Sequence, residues 1–419
     1  MSRSSTLLGL VAVLALVASA CQAPGTTDDE EGLTEALVWA VRSVDSDAHV
    51  ATAEAWNEQN PDTPVRLEML PAGADQQRSQ ISLELNAETD LFDIVGLDVI
   101  WTGEFAENGW LESLEDLRPE VEEIALSGPL ESATYQGDLW ALPYNTGAGL
   151  LYYRTDLVDE PPTTWDELME VGLEIGAQEG IAPFVGQGAQ YEGLTVNFLE
   201  YFWSAGGDLL NEDMTEVPFG EDDAAQRAIE FMSKALENGF YAPGYNTMQE
   251  EEARVQFQAG NAVFMRHWPA PFALLSDEEE SAVADRFDIA PLPTFTGEGS
   301  ITAVGGYNLA VSAFSNNTEA AKQFIQFAAT DRDVQLALGE RAILPTRADV
   351  YEDLADERIF EVLGDVLPYS RARPPVPRWN ELSDTISRNV FEAYNGQQEP
   401  QQAIDAIRDQ LESIAGQNG

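Results

Sequence analysis

The chain has little cysteine, histidine and lysine, and these shortages limit what it can do. Its 419 residues include one cysteine and two histidines, so no disulfide can form within the chain and a structural zinc site lacks ligands. The signatures of serine hydrolases (G-x-S-x-G), P-loop proteins, zinc metalloproteases (H-E-x-x-H) and dinucleotide-binding proteins (G-x-G-x-x-G) are all absent. These absences favour binding without turnover, and we expect neither a cofactor nor a metal.

Positive charge is also scarce. The chain has 74 acidic and 21 basic residues, a net charge of −53, and its only lysines are Lys234 and Lys322. Such a charge excludes nucleic acid as a partner. The acids are scattered along amphipathic segments, which indicates a surface adapted to high salt. The alternative is an acidic patch that binds cations or a basic partner.

The N-terminus has the layout of an export signal. Arg3 precedes an apolar run over residues 7–17, which is too short to span a bilayer. Small residues then lead into Cys21, in a pattern that resembles the lipobox of bacterial lipoproteins, although Ala18 stands where a leucine is preferred. We therefore expect a signal peptide over 1–20, a lipidated flexible tether over 21–32 and an extracytoplasmic, membrane-anchored protein. Ordinary cleavage after Ala20 is the alternative.

From about residue 33 the sequence alternates short apolar runs with helical patterns, which predicts an α/β fold of sheets flanked by helices. The remaining length suggests two lobes. Residues 140–154 are rich in aromatics, glycine and proline and are expected to cross between the lobes, and 291–300 form the clearest break. The predicted strands are 36–41, 65–70, 91–97, 262–266, 287–290 and 303–311, and the predicted helices are 47–59, 75–87, 194–204, 222–237, 250–258 and 318–329.

Two polar positions suit the hydroxyls of a small polyol. Asp98 follows the predicted strand 91–97, and ligands of open α/β sheets gather at the carboxyl ends of strands. A helix N-cap or loop role is the alternative. Tyr144 and Asn145 lie in the aromatic stretch, where an amide can both donate and accept.

Several aromatic rings offer flat apolar faces to a sugar ring, although each of them is also a candidate core residue. They are Trp101, Trp140, Trp203, Trp268 and Tyr307. Gly305 and Gly306 precede Tyr307, and paired glycines in a strand favour a close approach of the backbone to a ligand or another chain, or else a bulge or turn.

A few arginine and amide side chains complete the set of candidates. Arg373 lies among prolines that stiffen its loop, with donors for hydroxyls or a carboxylate. The alternative is a surface arginine paired with one of the many acids. Gln77 and Arg78 are weaker candidates of the same kind. Carboxylate pairs for glycoside hydrolysis are uninformative in so acidic a chain, so an exported glycoside-acting enzyme remains an alternative.

Several runs, in order, resemble one family. It is the extracellular solute-binding proteins of ABC sugar importers, in the branch handling trehalose, maltose and related oligosaccharides. The runs include AEAWNEQNP, DIVGLDVIWTGEFAENGWLESL, LWALPYNTGAGLLYYRTDL, QYEGLTVNFLEYFWSAGGDLL, FQAGNAVFMRHWPAP, VGGYNLAVSAFSNNTEAAKQFIQF and the Arg-Pro pair at Arg373.

The resemblance implies a two-lobed, periplasmic-binding-protein-like fold with a ligand cleft between the lobes. One lobe is 33–143 plus 301–345, and the other is 144–300 plus 346–419. The implied ligand-binding residues are Asp98, Tyr144, Asn145, Trp268, Gly306, Tyr307 and Arg373, followed by Glu251, Asp45, Gln77 and Arg78.

The resemblance also implies a function. The chain is expected to be a lipid-anchored, monomeric binding component that captures a di- or oligosaccharide and delivers it to permease subunits. Tyr307 stands where the family often has tryptophan, so a hydroxyl contact can replace stacking there. Another polyol or small solute on the same fold is the alternative ligand.

Overall fold

The computed structural model describes residues 36–43, 46–211 and 214–415. The strands are β1 Leu37–Arg42, β2 Val65–Leu70, β3 Ile94–Asp98, β4 Thr134–Tyr135, β5 Asp138–Leu139, β6 Leu142–Ala148, β7 Leu150–Arg154, β8 Ala182–Val185, β9 Ala262–His267, β10 Phe287–Ala290, β11 Thr302–Val311, β12 Leu344–Pro345 and β13 Ser370–Arg371. The helices are α1 Ser46–Gln59, α2 Ala74–Asn86, α3 Thr102–Glu107, α4 Arg118–Glu122, α5 Ser127–Ser132, α6 Trp165–Glu179, α7 Glu192–Ser204, α8 Ala224–Glu237, α9 Glu250–Gln258, α10 Pro271–Leu275, α11 Thr318–Thr330, α12 Arg332–Gly339, α13 Arg358–Val366, α14 Trp379–Tyr394 and α15 Pro400–Ala415.

These elements form two lobes, each built on its own sheet. The larger sheet has seven strands in the order β12-β6-β11-β3-β1-β2, with β13 paired to β11. The smaller sheet has four strands in the order β10-β7-β9-β8. Helices α1, α2, α11 and α12 pack on the first lobe, and α6 to α9 and α13 to α15 pack in the second. A two-stranded sheet, β4-β5, lies apart from both.

Strand β7 shows how the second lobe covers both faces of its sheet. Leu151 and Tyr153 belong to the core with α6, α7, α8, α14 and α15, while Leu150 and Tyr152 belong to the core with α9 and α13. Successive side chains of a strand point to opposite faces. A strand buried on both faces therefore reads as a continuous apolar run, as LLYY does.

The chain passes between the sheets twice before β12, and we call these passages the crossings. The first crossing is Gly149, the single residue between β6 and β7. The second is the segment 291–301, between β10 and β11. Residues 291–300, expected to be a break, contain neither helix nor strand. The lobe boundaries themselves remain a prediction.

Most predicted elements are confirmed, and most of their ends lie within two residues of the predicted positions. The strand predicted over 91–97 is wrong at its start, because β3 begins at Ile94. Leu91 is exposed, and the Asp93 carboxylate accepts the Val38 N–H at 2.8 Å. Helix α6 is capped by Thr164, whose hydroxyl accepts the Glu167 N–H. Among the described residues, no helix is long and apolar enough to cross a membrane.

Candidate functional site

A cavity of 610 Å³ lies between the two lobes and is the candidate functional site. Both lobes contribute polar and aromatic side chains to its wall. From the larger sheet come Asp98, Asn145, Gly306 and Tyr307, and from the second lobe and the C-terminal segment come Glu192, Glu250, Trp268 and Arg373.

Strand pairing brings the larger-sheet residues together. Strand β11 runs antiparallel between β3 and β6, so that Tyr307 lies opposite Asp98 on one side and Asn145 on the other. A bulge follows Tyr307 in the pairing with β6. Bulges redirect side chains near binding sites. Three positions distant in sequence thus reach the same wall of the cavity.

Gly306 allows this close pairing of strands. Its φ angle is +131°, and a Cβ atom there would lie 2.3 Å from the Asn145 carbonyl oxygen. An L side chain adopts neither that angle nor that contact without strain. The close backbone approach at Gly306 is to the neighbouring strand β6, and the bulge lies one residue further on, between Tyr307 and Asn308.

Asn145 and Asp98 each have one side-chain polar atom without a partner among the described residues. The Asn145 Oδ1 accepts the Tyr307 N–H at 3.2 Å, while no described residue accepts a hydrogen bond from its Nδ2. The Asp98 Oδ1 accepts from the Ile100 N–H at 3.2 Å and from Arg373 at 3.3 Å, while its Oδ2 has no donor among the described residues. One donor and one acceptor therefore line the cavity on either side of Tyr307.

Arg373 bridges carboxylates from both lobes. Its Nη1 donates to Glu192 at 2.6 Å, and its Nη2 donates to Asp98 at 3.3 Å and to the Val304 carbonyl at 3.2 Å. The residue is 5% exposed, so Arg373 is not a surface arginine, although it is paired with acids as the alternative expected. Within the described chain its buried Nε has no acceptor.

Glu192 sits at the start of α7, against Arg373. Its carboxylate also accepts the Trp379 indole N–H at 3.1 Å and the Ser383 hydroxyl. Burial raises the pKa of Glu192 to about 7, against the opposing effects of Arg373 and Ser383. Near neutral pH this carboxyl group therefore exchanges a proton inside the cleft.

Trp268 is half-buried and presents its ring to the cavity. The Arg266 guanidinium carbon lies 4.2 Å from its ring centroid, a cation–π contact. The Tyr152 hydroxyl donates to the Trp268 carbonyl oxygen at 2.8 Å. Backbone and ring are thus both held in place.

Tyr307 also lines the cavity, but its hydroxyl points away from it. The hydroxyl donates to the Gln77 Oε1 at 3.0 Å, and the Gln77 amide donates to the Ala72 carbonyl. The Arg42 guanidinium carbon lies 4.3 Å from the Tyr307 ring centroid, and the Trp101 ring meets Tyr307 edge-on. Gln77 therefore supports Tyr307 and does not reach the cavity.

A family model for bacterial extracellular solute-binding proteins matches residues 44–335. This chain belongs to that family. The family comprises binding components of ABC transporters, not enzymes, and functions outside the cytoplasm.

Individual relatives cover most of this solute-binding protein. A probable ABC transporter-binding protein of Deinococcus radiodurans is 31% identical over 87% of this chain and 89% of its own. A maltotriose-binding protein of Pyrococcus abyssi is 26% identical over 84% of this chain and 76% of its own. The maltose-bound structure of MalE3 from T. maritima is 35% identical, with a TM-score of 0.85, and covers 90% of this chain and 99% of its own. The two-lobed, periplasmic-binding-protein-like fold is thereby confirmed.

Besides Gln77, two further candidate ligand contacts of this solute-binding protein lie elsewhere in the structure. Tyr144 is 1% exposed, and its hydroxyl is bonded to Thr52 at 2.9 Å in the core of the first lobe. Arg78 is bonded to Glu104, with its Nε at 2.9 Å, outside the cavity wall. Tyr144 lies between Pro143 and Asn145 on β6, and neighbours on a strand face opposite sides, so only Asn145 reaches the cavity.

The three glutamates at the start of α9 take different roles. Glu250 accepts the Tyr191 hydroxyl at 2.7 Å, and burial raises its pKa. Glu251, the predicted contact, lines the cavity but is paired with Arg254 at 2.8 Å, while Glu252 caps the helix. Asp45, the remaining candidate, lies outside the described residues.

Sequence reasoning missed Glu192 and Glu250. Glu192 precedes the apolar residues from which the helix 194–204 was predicted, yet an acid in a first helical turn is favoured by the helix dipole. That signal would have extended the helix to Glu192. It would not have indicated the pairing with Arg373, which is 181 residues away.

Proposed function

We propose that this solute-binding protein captures a di- or oligosaccharide of the maltose or trehalose type by closure of its two lobes. It then delivers the sugar to the permease subunits of an ABC importer. The observation that carries the proposal is the interlobe cavity, where Asp98 and Asn145 keep spare polar atoms beside the Trp268 ring. The 35% identity to maltose-bound MalE3 supports the ligand class.

The available groups suit a neutral polyol. Sugar hydroxyls both donate and accept, so one hydroxyl can donate to the Asp98 Oδ2 and another can accept from the Asn145 Nδ2. The apolar C–H face of a ring fits against Trp268. An anionic ligand would need free cationic donors, whereas Arg373 is already paired with Asp98 and Glu192. These contacts favour an uncharged sugar over a phosphate or carboxylate.

Closure explains how binding is signalled. Asp98 and Asn145 belong to the larger sheet, while Trp268 follows β9 of the smaller sheet. A ligand that touches both sets is held fully only when the lobes are shut, so it shifts the open-to-closed equilibrium. We propose that the permease recognises this closed form of a monomeric receptor.

Anchoring at the membrane is the second part of the proposal. Lipidation of Cys21 would keep the receptor beside its permease, which suits a small ligand captured outside the cell. Replacing Cys21 with serine is expected to move the protein from the membrane fraction to the medium. Retention of the variant in the membrane fraction would contradict lipid anchoring through this residue.

The sugar assignment is tested by thermal shift. The mature domain, in high salt, is screened against trehalose, maltose, maltotriose, polyols and amino acids, because a ligand specific to the native state raises the melting midpoint. We expect a sugar to raise it, Asp98→Ala to abolish the rise, and Asp138→Ala, at the exposed position of β5, to preserve it. A shift with an amino acid or polyol but no sugar would overturn the assignment.

A further inference from the structure

A buried ion pair, Glu200 with Arg266, lies beneath the cavity. The Arg266 Nε donates to the Glu200 Oε2 at 2.8 Å, its Nη2 donates to the Oε1, and each side chain is 2% exposed. Burying two charges costs several kcal/mol per ion before their attraction is counted, so such a pair is weak evidence for stability. Its surroundings indicate another role.

The carboxylate of the pair holds the second crossing. The Glu200 Oε1 accepts the Thr302 hydroxyl at 3.1 Å and the Ala303 N–H at 3.2 Å. Thr302 is the first residue of β11. A residue of α7, in the second lobe, is therefore bonded to the strand that enters the larger sheet.

The first crossing packs against the same pair. A Cβ atom on Gly149 would lie 2.4 Å from the Arg266 Nη2, 2.5 Å from the Glu200 Oε1 and 2.7 Å from the Thr302 Oγ1. Only glycine lets the backbone approach so closely. Both crossings thus meet at one ion pair.

The guanidinium of the pair supports the Trp268 ring. Besides its bonds to Glu200, Arg266 donates from Nη1 to the Gln187 Oε1 at 3.3 Å. These bonds fix the guanidinium plane, and the Trp268 ring lies over it at 4.2 Å. If Glu200 moves with the crossings, the Arg266 guanidinium that packs against the Trp268 indole therefore moves as well.

We propose that the Glu200–Arg266 pair couples both crossings to Trp268, so that lobe closure and the orientation of the indole change together. Arg266 is then a positioning residue that acts on the ligand through Trp268. The effect on the ligand rests on the proposed function, whereas the coupling to the crossings stands on the geometry of the protein alone.

Interlobe distance without ligand is the first test. The chain has one cysteine, so in a Cys21→Ser background spin labels at Glu58→Cys on α1 and Glu230→Cys on α8, both exposed, report the separation of the lobes. Thr302→Val and Arg266→Lys are expected to change the distance distribution. Arg154→Lys, which alters a buried arginine bonded to Asp156 away from the crossings, is expected to leave it unchanged. Unchanged distributions in Thr302→Val and Arg266→Lys would overturn the coupling.

A double-mutant cycle on maltose affinity is the second test, because a purely structural role gives additive effects. In the wild-type background we expect Arg266→Lys to raise Kd about tenfold, or about 1.4 kcal/mol. In the Trp268→Ala background we expect the same substitution to raise Kd by less than about twofold. Equal effects in both backgrounds would overturn the role in positioning. If Arg266→Lys does not fold, Thr302→Val replaces it in the cycle with the same two outcomes. If no sugar binds the wild type, the proposed function is wrong, and so is the role of Arg266 in positioning Trp268 for the ligand. The distances between the spin labels still test whether the ion pair is coupled to the crossings.

Discussion

Two buried arginines, Arg266 and Arg373, differ in how completely their charges are satisfied. Arg266 directs all three guanidinium nitrogens to Glu200 and Gln187 within the second lobe. Arg373 shares two nitrogens among Glu192, Asp98 and the Val304 carbonyl, and its buried Nε has no acceptor in the described chain. Complete pairing favours a rigid support. Arg373 is incompletely paired and bonds both sides of the cleft, so its hydrogen bonds can change when a ligand enters.

The largest expected effect is on the stability of the Arg266 site. Arg266→Ala leaves the Glu200 carboxylate buried without its counter-charge, which is expected to lower the free energy of unfolding by about 3–5 kcal/mol. Urea denaturation in high salt measures it. Arg408→Ala, which breaks only partly exposed ion pairs, is the control and is expected to cost less than about 1 kcal/mol. Equal losses of unfolding free energy in the two variants would show that the Arg266 pair stabilises the protein no more than a surface pair does.

At the Arg373 site we expect affinity to change more than stability. Arg373→Ala removes the bridge between Glu192 and Asp98 and is expected to weaken sugar binding about 100-fold, or about 2.7 kcal/mol. The loss of unfolding free energy is expected to be smaller than in Arg266→Ala, because Glu192, with a pKa of about 7, can take up a proton when its partner is removed. Calorimetric titration and urea denaturation measure the two quantities. The reverse order of effects would invalidate the distinction between the two arginines.

The pH dependence of the unfolding free energy tests Glu192, the carboxylate that is paired with Arg373. Burial raises the pKa of Glu192 from 4.5 to about 7, so the native state binds a proton more tightly than the unfolded state. This group therefore adds stability as pH falls from about 7 towards 4.5, and that contribution is lost as pH rises through 7. Glu192→Gln is expected to remove a difference of about 2 kcal/mol across this range.

The buried histidines act in the opposite direction, so the wild-type curve alone does not isolate Glu192. Burial lowers the pKa of His49 to about 3 and of His267 to about 4, from 6.5. Their stabilising contribution is present above 6.5 and is lost as pH falls. Melting curves of wild type and Glu192→Gln from pH 4.5 to 8, compared point by point, cancel the histidine effect. Parallel curves would exclude a proton on Glu192.

The smallest expected effect concerns a neutral contact below the cavity. Tyr307→Phe removes the hydroxyl with its bond to Gln77 and is expected to lower the unfolding free energy by about 1 kcal/mol. The ring and its contact with Arg42 remain, so sugar affinity is expected to change less than about threefold. A tenfold loss of affinity would instead place the hydroxyl in direct contact with the sugar.

Local patterns were sufficient to predict most of the fold. Apolar periodicity located six strands and six helices, because each signal lies within one element. They are β1, β2, β3, β9, β10 and β11, and α1, α2, α7, α8, α9 and α11. The site depends on pairings between distant elements. Tyr307 lies beside Asp98 and Asn145 only because β11 separates β3 from β6, an order that no local pattern specifies. The resemblance to a known family supplied that information at the sequence level.

The errors have equally specific causes. Tyr144 and Asn145 were both expected at the ligand, although successive side chains of a strand point to opposite faces, and the Tyr144 side chain lies in the core of the first lobe. Arg78 was expected at the ligand, but it is bonded to Glu104. The two residues are 26 positions apart, and no local pattern in the sequence indicates that pairing. Glu192 was overlooked because a helix is recognised first by its apolar residues.

The alternation in β6 also restricts how this receptor can evolve. Tyr144 fills the first lobe's core and Asn145, its neighbour, faces the cavity. Deleting or inserting one residue within Leu142–Ala148 would exchange those faces along the rest of the strand. A new specificity can therefore arise by substitution at Asn145, whereas a change of length in this strand would destroy the core and the binding site in a single event.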